Sequence, residues 1–131
     1  MTHYSIDTSA WVAFFRGRPN KATQRVACLL ADNDALIGID GVVLAELIQG
    51  IKGQTEKRQV AQILDQLKIF PLSREIFELA GNLNSDLRQR GITVPITDAI
   101  IAATAINYQT IIVTLDDHFK YFRQAKVKLI N

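Results

Sequence analysis

Five short β-type runs, Tyr4–Ile6, Leu36–Ile39, Lys68–Pro71, Thr110–Thr114 and Lys126–Ile130, alternate along this chain with segments of helical character. That alternation constrains the fold more than any other feature, because strands separated by helices join as a parallel sheet whose two faces the helices cover. The prolines Pro19, Pro71 and Pro95 fall where one segment hands over to the next, and no repeat, low-complexity tract or linker interrupts the order. At 131 residues the chain suits a single domain, spanning 1–131, with a proper core.

The helical segments differ in character. In Glu56–Lys68, Val60, Ile63, Leu64 and Leu67 recur at the spacing of a helix with one buried face. Ile76, Ala80, Leu83 and Leu87 repeat the pattern, and Gly91 stands where a C-terminal cap is expected. Thr8–Arg16 is apolar almost all the way round, through Ala10, Trp11, Val12, Ala13, Phe14 and Phe15. A helix of that kind is central or covered by a partner, so at least one of the three aromatic rings is expected to be partly exposed in the isolated subunit.

Composition narrows the class. Hydrophobic residues at 48% and charged residues at 21% are ordinary for a globular protein, and no apolar run reaches membrane-spanning length. No export signal is expected from MTHYSIDTSAW, which lacks a basic stretch followed by an apolar one. The lone Cys28 excludes an internal disulfide, fits a reducing cytoplasm, and reads as a small core residue in an apolar helix. The formal net charge is +2, but withdrawing several acids into one pocket would leave a basic surface suited to a polyanion.

Candidate acids for such a pocket are Asp7, Glu46, Asp98 and Asp116, each at the end of, or inside, an apolar core segment. Asp7 closes the first strand, where parallel sheets bind ligands, and equally fits a helix N-cap ahead of Thr8 and Ser9. Glu46 has Leu44, Ala45, Leu47 and Ile48 around it, where an unpaired carboxylate costs several kcal/mol; a narrow solvent stripe shared with Gln49 is the alternative. Asp98 opens the segment Asp98–Asn107 after Pro95 and Thr97, with Ile101 and Ala102 on its own face, and the helix dipole favours an acid there in any case. Asp116 follows the fourth run with Asp117 beside it; either one fits the site or a cap on the short helix through Phe119–Phe122. His118 reads as a partly exposed helix residue rather than a base.

Carboxylates brought close together repel, and some take up protons unless cations neutralise them. Hard oxygen donors select Mg²⁺ or Mn²⁺, and the Cys/His spacing that zinc requires is missing. Such a centre suits phosphodiester hydrolysis, in which bound metal activates water and stabilises the leaving oxygen without a side-chain nucleophile. Arg16, Arg18 and Lys21 after the first helix, with Arg88 and Arg90 before Asp98, are candidate phosphate contacts or plain solvated charges.

These residues, in this order, resemble the PIN domain, and the chain size resembles the VapC-like ribonuclease toxins of toxin–antitoxin pairs. The resemblance is carried by Ile6-Asp7-Thr8-Ser9 with an aromatic helix after it, Leu44-Ala45-Glu46-Leu47, Asp98-Ala99-Ile100-Ile101-Ala102-Ala103, and Thr114-Leu115-Asp116 leading to Phe119. It implies a PIN-like three-layer α/β/α sandwich with a central parallel sheet and an endoribonuclease of a VapBC-type pair. Asp7, Glu46, Asp98 and Asp116 would hold Mg²⁺ or Mn²⁺, with Ser9 and Thr114 as accessory hydroxyls and Asp117 as the rival fourth acid. RNA as substrate, a VapB-type antitoxin and a homodimer are the implied partners, without any membrane. Two other readings stand beside it. A non-catalytic module of the same fold would be expected to lack one or more of the acids. A phosphatase of the haloacid dehalogenase type would use Asp7 as nucleophile and needs a second aspartate where Ser9 stands.

Overall fold

Each β-type run becomes a strand of one five-stranded sheet, in a computed structural model that describes residues 1–16 and 20–130. The strands are β1 (Thr2–Ile6), β2 (Ala35–Asp40), β3 (Lys68–Phe70), β4 (Ile111–Thr114) and β5 (Lys126–Leu129), every adjacent pair parallel. Between them run α1 (Thr8–Phe15), α2 (Lys21–Ala31), α3 (Gly41–Gly50), α4 (Gln54–Leu64), α5 (Arg74–Gln89) and α6 (Ile96–Tyr108). A 3-10 turn, Asp117–Tyr121, separates β4 from β5. The helices cover the sheet as the outer layers of an α/β/α sandwich; α1 packs on α2, α3 and β4, while α6 packs on α5, α3 and β4. Among the described residues no helix is long and apolar enough to cross a membrane.

The strand order β3-β2-β1-β4-β5 positions the site. The chain first winds outward from β1 through β2 to β3, then returns to the other side of β1 for β4 and β5. Reversal of winding direction between β1 and β4 opens a crevice beyond their carboxyl ends, the usual ligand position in open α/β sheets. Register fixes those ends side by side, with Ile6 opposite Val113 and the Asp7 amide donating to the Val113 carbonyl at 3.0 Å.

Local chemistry explains the boundaries. β3 stops at Phe70 because Pro71 has no N–H for the ladder. β4 starts at Ile111, one residue later than the sequence suggests, since the Thr110 N–H is taken by the Ala105 carbonyl in closing α6. α4 ends at Leu64, and tight turns at Gln66 and Leu67 deliver Lys68 into β3. α6 begins at Ile96 behind Pro95, so Asp98 is a first-turn residue and not the opening one. At α5 the Gly91 cap forms as expected: φ is +76°, Ile92 N–H reaches the Leu87 carbonyl and Gly91 N–H the Arg88 carbonyl, both at 2.9 Å.

The core holds Ile6, Ile39, Ile112 and Val113 of the central strands, each fully buried and worth about 2 kcal/mol of apolar transfer. Trp11, Phe119 and Phe122 are its largest side chains. Gly38 is required by packing, because a Cβ there would lie 2.1 Å from the Phe70 ring, which stacks on Tyr108. Cys28 departs from expectation. α2 is amphipathic, with Ala22, Val26 and Leu29 facing inward, and Cys28 lies on its exposed side rather than in the core. In α1, Trp11 is fully buried whereas Phe14 and Phe15 remain half-buried around it, so the helix is only partly covered.

Candidate metal centre

Asp7 leaves the end of β1 and turns its buried side chain into the start of α1. Its carboxylate accepts from Ser9 Oγ at 2.8 Å and from the Ala10 amide at 3.3 Å. The cap that the sequence offered as one of two roles is thus formed, by a side chain that also stands at the carboxyl end of β1. Burial pushes its pKa above the ordinary carboxylate value, the Ser9, Ala10 and Thr114 hydrogen bonds pull it back, and the Asp116 charge pushes it up again.

Ser9 ties the two central strands together. Its hydroxyl donates to Asp7, accepts from the Leu115 amide at 3.1 Å, and lies 3.4 Å from Thr114 Oγ1. Thr114, fully buried at the end of β4, accepts from the Asp116 amide at 2.8 Å. The two hydroxyls thus orient Asp7 and Asp116 from below.

Glu46 approaches from α3, in the middle of that helix rather than at an end. Its half-buried carboxylate accepts from Thr8 Oγ1 at 2.8 Å, which turns it toward the first turn of α1, while Gln49 stays exposed. The contact draws Glu46 inward, away from a simple solvent stripe.

Asp98 enters from the first turn of α6, half-buried. Its pKa is pushed up from 3.8 to about 6, first by burial, then by the charges of Asp116 and Asp7, with a smaller push from Glu46 and an opposing pull from His118. One carboxylate thus feels the other three candidate acids, although the four come from four separate segments of the chain. Asp116 caps the 3-10 turn, accepting from the His118 amide at 2.9 Å, and lies 3.1 Å from His118 Nδ1. Asp117 is directed elsewhere: exposed, it pairs with Lys120 Nζ at 2.8 Å. Carboxylate oxygens of Asp98 and Asp116 and a ring nitrogen of His118 lie within 4.8 Å of one another. The two carboxylates and the imidazole fit a divalent cation, because carboxylates brought this close are stabilised by positive charge in their midst, while Asp7 and Glu46 stand outside that group of three.

Several contributing residues escaped the sequence reading. Asp40 ends β2 as Asp7 ends β1, is buried, and caps α3 by accepting from the Val42 and Val43 amides at 2.8 and 3.0 Å. Burial raises its pKa, its two amide donors lower it, and Glu46 raises it further. The recurring Ile-Asp pair at Ile6-Asp7 and Ile39-Asp40 was the available signal. Asn84, buried in α5, donates to the Val94 carbonyl at 3.2 Å and steadies the loop that leads to Asp98. A polar residue on the apolar face marked by Ala80 and Leu87 betrays it. The basic candidates are scattered. Arg16, Lys21 and Arg90 line three different surface hollows, and Arg88 is exposed in the last turn of α5. Arg18 lies outside the described residues. Among the described residues none of these cations pairs with a candidate acid.

Known proteins share this plan. The family model of the PIN domain matches residues 4–124. Ribonuclease VapC2 of Rickettsia felis is 30% identical over 125 residues, covering 92% of this chain and 90% of its own. Ribonuclease VapC11 of Mycobacterium tuberculosis is 31% identical over 116 residues, 87% of each chain. Among solved structures, VapBC2 of Rickettsia felis bound to a promoter DNA fragment superposes with a TM-score of 0.83 at 23% identity, over 99% of this chain and 100% of that one. VapBC of Salmonella typhimurium, also DNA-bound, superposes at 0.78 with 19% identity over the full length of both chains.

Proposed function

We propose, from the premise that this chain belongs to the PIN domain family and within it to the VapC ribonucleases, how its own residues carry out that activity. The protein is an endoribonuclease, the toxin of a VapBC-type pair, acting on RNA and held in check by a VapB-type antitoxin. In this reading residues 1–131 work as one nuclease domain in the cytoplasm, and the active form is a homodimer. Asp7, Glu46, Asp98 and Asp116 hold Mg²⁺ or Mn²⁺. What supports this assignment is geometry: oxygens of Asp98 and Asp116 lie within 4.8 Å of one another beyond the end of β4, beside the end of β1 that carries Asp7, and the charges of Asp7 and Glu46 add to those that raise the Asp98 pKa.

Bound metal would activate a water for in-line attack on phosphorus and stabilise the leaving oxygen. The protein's part is to hold the acids. Ser9, Thr114 and the Ala10 amide fix Asp7, Thr8 fixes Glu46, and the turn after Thr114 fixes Asp116. Ser9 and Thr114 are positioning residues in this scheme, and Asp117, neutralised by Lys120, stands outside it. Arg16, Lys21, Arg88 and Arg90 serve RNA as separate phosphate contacts and not as one clamp, and Arg18 remains a candidate contact from the sequence alone. A phosphoaspartate route lacks support, because the place of its second aspartate is filled by a Ser9 hydroxyl already bonded to Asp7. A binding-only module has no use for a mutually repelling acid cluster kept intact.

The test is cleavage of RNA by the purified chain, free of antitoxin, with Mg²⁺ or Mn²⁺. Asp7→Asn, Glu46→Gln and Asp98→Asn proteins are each expected to be inactive while folded. Full activity of Asp98→Asn, or undiminished cleavage in excess EDTA, would sink the reading.

A further inference from the structure

The imidazole of His118 stands at the rim of the acid cluster without a part in the scheme above. Two features hold it there. Its own backbone amide donates to Asp116 Oδ1 at 2.9 Å, and the next residue, Phe119, is fully buried, so the 3-10 turn cannot swing the ring far away. A ring nitrogen then shares a sphere of 4.8 Å with oxygens of both Asp98 and Asp116, carboxylates that arrive from α6 and from the end of β4. An ion pair with Asp116 alone would not require that proximity to Asp98. Half of the imidazole remains exposed, its side chain at 55%, so it borders the site at its open side.

We propose that His118 donates a ring nitrogen to the metal ion and makes the centre prefer Mn²⁺ over Mg²⁺. The proposal rests on the reading of Asp7, Glu46, Asp98 and Asp116 as the metal-binding acids. Mg²⁺ favours near-ideal octahedra of oxygen and keeps much of its water, whereas imidazole suits the transition metals and adds a ligand without adding negative charge. Already crowded with carboxylates, this centre gains more from a neutral donor than from another acid.

Calorimetry and pulsed electron paramagnetic resonance of the purified protein decide the point without reference to activity. Mn²⁺ bound to the wild type is expected to show nitrogen coupling that changes when the histidines are ¹⁵N-labelled and vanishes in His118→Gln. His118→Gln should weaken Mn²⁺ binding about tenfold, on the scale set by loss of a metal-site partner, and Mg²⁺ binding less than about twofold. His3→Gln serves as the control histidine and should leave both unchanged. If Mn²⁺ binds the wild type without nitrogen coupling, or His118→Gln weakens both ions alike or neither, the proposal is overturned while the acid centre stands. If Asp98→Asn binds Mn²⁺ as tightly as the wild type, or the wild type binds none, the acid centre itself is wrong and the role of His118 falls with it.

Discussion

Replacing Asp98 by Asn should make the metal-free protein more stable at neutral pH, and the size of the gain follows from the site. Burial and the charges of Asp116, Asp7 and Glu46 raise the Asp98 pKa from 3.8 to about 6. At about 1.4 kcal/mol per pH unit the rise is worth about 3 kcal/mol, which solvent at a half-buried carboxyl screens to about 2 kcal/mol. The sign is set by linkage: the folded-state pKa exceeds the unfolded one, so this carboxyl supports the fold fully below about pH 4 and loses that support as pH rises through about 6. Asparagine carries no such dependence. In EDTA at about pH 7.5 the variant should therefore be more stable than the wild type by about 2 kcal/mol, or about 8 °C in Tm for a chain of this size, and the two should converge near pH 4. Added Mg²⁺ or Mn²⁺ should reverse the order by stabilising only the wild type. Urea titrations and thermal melts at both pH values, with and without metal, check each arm. Equal stability of the two proteins in EDTA at the higher pH, or a difference that does not vary with pH, would refute the repulsion argument.

Three further outcomes are expected. Asp116→Asn should abolish RNA cleavage whereas Asp117→Asn should change it by less than about threefold, since Asp117 is an exposed partner of Lys120 and such pairs are worth little; equal losses in a cleavage assay would reassign the fourth acid. Gly38→Ala should cost about 2 kcal/mol by forcing the Phe70 ring out of its place between Gly38 and Tyr108, read as a lower urea midpoint, and an unchanged midpoint would show that the ring moves freely. Phe15→Ala, at the half-buried ring lining a groove of about 270 Å³ with Val12, Leu47 and Ile51, should weaken antitoxin binding by about 2 kcal/mol in a folded protein. Unchanged affinity and unchanged oligomeric state there would move the partner surface elsewhere.

Much of the fold was legible because its signals are local. Periodicity in α4 and α5, the Gly91 cap and the strand runs each report on a few neighbouring residues, and the physics of helix faces, caps and apolar runs acts over that same range. The errors were also local in origin: a short run of Ala-Cys-Leu-Leu read as apolar, although Arg25, Gln24 and Lys21 on the same helix make α2 amphipathic and leave Cys28 exposed. By itself the sequence determined that acids would end up beside core elements, since Asp7, Asp98 and Asp116 sit where strands stop and helices start. Which acids meet was decided only by the strand order. Placing β4 beside β1 brings Asp116 and Thr114 to Asp7 and Ser9, across a separation of more than a hundred residues, and no local preference encodes that pairing. What distinguishes Asp116 from Asp117 is part local and part tertiary: the Thr114 and Lys120 contacts lie within three residues, whereas Asp98 comes from α6. Adjacent in sequence and identical in chemistry, they separate because the Thr114 hydroxyl and the turn aim one carboxylate at Asp98, while Lys120 takes the other, and electrostatic repulsion of this kind exists only once the chain has folded the charges together.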